Sequence, residues 1–135
     1  MSGFEWKKEY ELGIERIDNQ HREFFKRVNK LALALYDNKG RDELKVLISY
    51  LKSHIEEHFS YEEALLSRTD YPKFNEHVKK HQELVNYFFE LDHEIKSRGA
   101  DNYLAIRVER DIREWWEDHE LNYDSAYVPY VSGLK

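Results

Sequence analysis

Apolar side chains recur at steps of three and four along most of this chain, and alternating stretches are absent, so the pattern predicts helices and no strands. The first stripe is Ile17, Phe24, Val28, Leu31 and Leu35, opened by Asp18 as N-cap and closed at "DNKG", where Gly40 suits a left-handed turn. The second holds Leu44, Leu47, Leu51, His58 and Leu65 on one face. Asp70, Tyr71 and Pro72 then break the chain. The third stripe is the cleanest: Phe74, His77, His81, Leu84, Phe88, Leu91 and Ile95. After "SRGADN" a fourth begins near Asp101 and carries Leu104, Val108, Ile112, Trp115 and His119. The predicted helices span about 18–38, 41–66, 72–97 and 101–120. Short joins between four amphipathic helices predict an all-α, antiparallel up-down-up-down four-helix bundle. The first sixteen residues lack a stripe and read as an extended arm laid over the core; the stretch "YDSAYVPYVSGLK" reads as a tail.

Composition narrows the picture. The chain has 135 residues, enough for one core, and 1–135 reads as a single domain without internal repeats. A net charge of −6 with interspersed signs argues against nucleic acid as a partner. The absence of cysteine excludes disulfides, thiolate metal sites and cysteine nucleophiles. No signal-peptide core or long apolar run is visible, so no membrane partner is expected and a cytoplasmic location is the simplest expectation.

The seven histidines change the picture more. In "HFSYEE", His58 and Glu62 sit four apart; in "HVKKH", His77 and His81 do the same. Residues four apart lie on one helix face, one turn apart. His21 interrupts the first stripe, and His119 ends the fourth, followed five residues later by Asp124. Any one of these is compatible with a core or surface histidine. Together they place imidazoles on the inward face of all four helices, and burying them without partners is costly. Five histidines and two carboxylates exceed one tetrahedral site and suit two ions bridged by carboxylates. Such a set without thiolate favours iron or manganese, with zinc possible. His54 continues the face of His58 one turn away and is read as supporting or surface; His93 has no visible partner.

The motifs "IDNQH", "HFSYEE", "HVKKH" and "HELNYD", with Trp6 and "LGIERID" in the arm, resemble the hemerythrin family in order and spacing. That resemblance implies a bundle with two non-heme iron ions and an oxo or hydroxo bridge, binding O2 reversibly for storage, delivery or sensing. It implies His77, His81 and His119 on one iron and His21 and His58 on the other. Glu62 and Asp124 would bridge, and O2 or small anions would occupy the open position. Phe59, Trp115, Trp116 and Glu120 are then expected at the O2 pocket.

The chain departs from the family pattern at "WWEDHE". Trp116 stands where a pocket leucine is common, and Glu120 where an apolar residue is common. Glu120 either faces solvent or reaches the open iron. In the second case it would turn the carrier into a peroxidase-like or oxidase-like redox enzyme. Otherwise no catalytic residue is expected.

Overall fold

The computed structural model describes residues 6–131. Its helices are α1 (Glu15–Tyr36), α2 (Gly40–Arg68), α3 (Phe74–Arg98), α4 (Asn102–His119) and α5 (Ser125–Val131). A short 3-10 turn (Lys8–Tyr10) lies in the arm, and a π-helical segment (Glu120–Asp124) joins α4 to α5. The connections α1–α2, α2–α3 and α3–α4 are too short for anything but reversal, and the first four helices form the bundle. α2 meets α1, α3 and α4, and α1 also meets α4.

Several boundaries differ from the sequence reading, each for a physical reason. α1 starts at Glu15, not Asp18. The Asp18 carboxylate is turned outward to the arm, accepting from the backbone N–H of Leu12 at 2.8 Å and of Gly13 at 3.0 Å. It therefore pins the arm rather than capping its own helix. Asp18→Ala frees both donors and is expected to cost about 1–2 kcal/mol in urea unfolding, whereas Asp18→Asn, which keeps one acceptor, costs less. Equal stability of all three proteins would show that the arm is not held this way.

The left-handed residue before α2 is Asn38, with φ 57°, not Gly40. Asparagine tolerates that conformation. Gly40 is the first residue of α2, buried so close to α1 that a Cβ would collide with Leu35 Cδ2. Gly99, φ 80°, does close α3, and the Asp101 side chain caps α4 by accepting from Leu104 N–H at 2.8 Å. Of the expected arm, residues 1–5 lie outside the described residues; Lys7 and Glu11 flank the turn in extended backbone, and Tyr10 is fully buried. The predicted tail is helical through Val131; its last residues, 132–135, lie outside the described residues.

The apolar interior is divided. The larger cluster holds Phe24, Leu51, Phe59, Leu84, Ile112 and Trp116 among others. The smaller holds Leu12, Ile17, Leu65, Leu66, Tyr71, Tyr127 and Val131. Between them runs a buried polar layer: His21, His58, Glu62, His77, His81, His119, Glu120 and Asp124.

Candidate metal centre

Each helix delivers its part of this layer through ordinary helical periodicity. His58 and Glu62 come from consecutive turns of α2, His77 and His81 from consecutive turns of α3. His21 comes from α1. His119 ends α4 and Asp124 ends the π segment. Five residues is not an α-helical repeat, but a π turn closes with i→i+5 bonding. The local change in winding thus places Asp124 Oδ1 2.9 Å from His119 Nε2.

Glu62 is the hub. Its Oε1 is 2.8 Å from both His77 Nε2 and His81 Nε2. Its Oε2 accepts from the Tyr127 hydroxyl at 2.8 Å and lies 3.8 Å from His58 Nε2. Asp124 Oδ1 is also 3.0 Å from His77 Nε2, and its Oδ2 is 3.2 Å from His21 Nε2. Glu62, His77, His81, His119 and Asp124 bring ligand atoms within 4.8 Å of one another; His21, His58 and Glu62 form a second such group.

Whether these residues suit a metal is tested by their unmet bonding. His81 Nε2, His119 Nε2 and Asp124 Oδ1 are buried and, despite the short separations, have no aligned hydrogen-bond partner. Groups built to bond one another would align; groups that converge on a common point between them do not. Two of the far nitrogens support the same reading. His58 Nδ1–H donates to Gln20 Oε1 at 2.5 Å, and His81 Nδ1–H to Glu63 Oε2 at 2.7 Å. A partner on Nδ1 leaves Nε2 bare for a cation. The donor set is imidazole and carboxylate without sulfur, which fits iron, manganese or zinc.

Electrostatics follow from burial and the carboxylates. Burial alone would depress His77, but its contacts with Asp124 and Glu62 outweigh that and lift it to about 10. His21 and His81 are raised in the same manner. Burial and repulsion from Asp124 would raise Glu62, yet the close imidazoles of His77 and His81 hold it well below the ordinary range. Asp124 is held low by His119, His21 and His77 against its burial. His58 lacks so close a carboxylate, and burial drops it to about 3.

The four expected pocket residues divide. A cavity of about 10 Å³ opens beside His21, His58, His119 and Asp124, and its wall includes Phe59, Trp115 and Trp116. Glu120 is not on that wall. It is buried, neither facing solvent nor lining the cavity, with Oε2 2.9 Å from His21 Nδ1. The contact is close but off-axis. His21 thus meets Asp124 with one ring nitrogen and Glu120 with the other. Burial raises Glu120 to about 7, partly offset by His21. The sequence pattern does not single out Gln20, Glu63 or Tyr127. Gln20 and Glu63 neighbour His21 and Glu62, but only the packed helices show which partner they reach. Tyr127 lies in the stretch that reads as a tail. His54 lines the cavity, half-buried, and His93 is exposed.

Comparison with known proteins agrees with this arrangement. The hemerythrin HHE cation binding domain matches residues 12–131. The chain is similar to a bacteriohemerythrin of Clostridium acetobutylicum, 32% identical over 93% of this chain and 98% of that protein. A bacteriohemerythrin of Campylobacter jejuni is 28% identical over 88% of each chain. A crystal structure of a hemerythrin variant with leucine replaced by tyrosine superposes with a TM-score of 0.82 at 25% identity, covering 98% of this chain and 99% of that one. No helix among the described residues is long and apolar enough to cross a membrane. With a donor layer on the inward faces of four antiparallel helices and a domain match over nearly the whole described length, the chain belongs to the hemerythrin family.

Proposed function

We propose that this chain holds two non-heme iron ions and binds O2 reversibly, for storage, delivery or sensing. The observation that carries the reading is Glu62, one buried carboxylate whose two oxygens face two different groups of imidazoles. His77, His81 and His119 would hold one iron, and His21 and His58 the other. Glu62 and Asp124 would bridge them, alongside an oxo or hydroxo bridge. When bound, two ferrous ions supply the electrons that reversible O2 binding requires.

The protein's own part is to orient, to seal and to hold protons. Gln20 and Glu63 fix the rings of His58 and His81 through Nδ1. Phe59 lies flat on the His81 ring, with centroids 3.7 Å apart, and Trp115 stacks on His119 at 4.6 Å, closing the layer against water. A dry, small cavity favours release of O2 over its further reduction. Iron must displace the proton that His77 holds in the metal-free protein, so loading releases protons and weakens as pH falls.

The test is optical. The metal-free protein is loaded with ferrous iron without air, O2 is admitted, then argon is swept through. Two irons per chain and a visible band that rises with O2 and fades under argon are expected. Direct, permanent conversion to a ferric spectrum would move the assignment to a redox enzyme.

We infer from its contact with His21 Nδ1 that Glu120 supports His21 rather than occupying the open position. Glu120→Leu is therefore expected to weaken the second iron by about tenfold, as loss of a supporting partner does. Because Glu120 is one partner of a buried pair with His21, its removal should also destabilise the metal-free fold. Unchanged iron affinity, read from chelator competition, would show that His21 does not rely on it.

A further inference from the structure

His54 stands one turn before His58 on α2, and its ring stacks on that of His58, with centroids 5.6 Å apart and planes within 10°. Tyr50 stacks on it in turn at 4.9 Å, and the Tyr50 hydroxyl lies 2.9 Å from His54 Nδ1. Arg27 covers the Tyr50 ring at 4.7 Å and is itself held by Glu23 at 3.1 Å. The imidazole is thus fixed in its plane, with its Nδ1 edge occupied. The opposite nitrogen, Nε2, is buried without a hydrogen-bond partner. His54 also lines the small cavity that His21 and His58 border. The rest of the wall, apart from the proposed ligands, is aromatic or aliphatic: Phe24, Ile55, Phe59, Leu84, Trp115 and Trp116. A buried ring nitrogen left unpaired is costly unless something pairs with it some of the time.

We propose that His54 is the polar recognition residue of this cavity, its Nε2–H donating to a small anion held there. The inference rests on the di-iron reading above. With the Tyr50 hydroxyl donating into Nδ1, the ring proton sits on Nε2, and His54 offers a donor to the cavity it lines. A volume of about 10 Å³ admits roughly one water-sized group, which limits the ligand to a few atoms or to one end of a linear ion. Apolar walls sort ligands by size alone. His54 adds a preference for those that carry charge and lone pairs.

Azide is the probe. The full chain is loaded with iron, oxidised in air, and titrated with azide by visible absorbance, alongside His54→Leu, His54→Gln and Tyr50→Phe, with iron per chain measured for each. His54→Leu is expected to weaken azide by about tenfold or more, because a bond to a charged acceptor is lost. His54→Gln, which keeps a donor, should recover most of the affinity, and Tyr50→Phe should fall between. The azide stretching frequency of the parent should shift in D2O, and that shift should vanish in His54→Leu. A merely structural His54 would not produce it. Full iron content with unchanged azide affinity in His54→Leu overturns the proposal, as does a parent spectrum insensitive to D2O. If His54→Leu fails to load iron, the D2O measurement on the parent decides alone. A parent that takes up no iron overturns the di-iron reading, and this inference with it.

Discussion

On the di-iron reading proposed above, replacing Glu62 with alanine is expected to lower iron content from two ions per chain to less than one, and to abolish the O2-dependent visible band. Glu62 and Asp124 both serve the two groups of imidazoles, and Glu62 reaches more of them: its Oε1 faces His77 and His81, its Oε2 faces His58 and Tyr127. Losing it removes a ligand from each position and one of the two carboxylate links between them. The metal-free protein should also suffer. His77, raised to about 10 largely by Glu62 and Asp124, would keep only part of its compensation. Breaking a buried charge pair costs about 3–5 kcal/mol. Glu62→Gln separates the two effects, since it retains the volume and an acceptor for Tyr127 but not the charge. It should fold nearly as well as the parent and still lose at least one iron, measured by metal analysis after gel filtration. A Glu62→Gln protein with two irons and a normal spectrum would mean that the bridging assignment is wrong.

Trp116→Ala should produce the largest loss of stability of any apolar substitution in the bundle. The indole is buried at the junction of the arm, α1 and α4. It meets Tyr10 edge-on at 4.8 Å, His21 at 5.8 Å, and Phe24, Phe25 and Trp6 at 6.1–6.2 Å. Truncating a buried tryptophan costs about 3–5 kcal/mol. Domains of this kind carry only about 5–15 kcal/mol in all. The expected fall in Tm is roughly 10 °C or more. Because Trp116 also walls the cavity, the milder Trp116→Leu should enlarge it and admit bulkier anions such as thiocyanate. A Tm within a few degrees of the parent for Trp116→Ala would show that the arm and α1 close over the gap.

The helices are legible in the sequence because each buries one face, and burial writes itself into the spacing of apolar residues. The buried donor layer is legible for the same reason: His77 and His81 occupy core positions of the cleanest stripe, and no apolar core selects imidazole. The features that stay hidden depend on contacts between segments distant in sequence. Asp18 reads as a cap because it stands near a helix start; only the arm folding back shows that its carboxylate serves Leu12 and Gly13. In a regular α-helix, residues five apart are about 140° apart around the axis. His119 and Asp124 therefore look like neighbours in the chain but not on a face. The π segment removes that difference, and with it the reason for reading residues 125–131 as a tail. Glu120 is ambiguous on the same account, since its direction depends on the winding of the turn it begins.

The polar layer that splits the interior has a consequence for how the protein opens. That layer separates the two apolar clusters, and the small one beyond it is held by α5, the arm and the ends of α1 and α2. Its members form a unit that can unfold locally while the larger cluster stays closed. Iron would clasp the two halves together through Glu62, Asp124 and the histidines. Amide protons around Leu65, Tyr127 and Val131 should then exchange slowly in the loaded protein and quickly in the stripped one, with little change near Leu51 or Ile112. A protease encountering the chain would thereby read whether it carries metal, cutting the empty form first at α5.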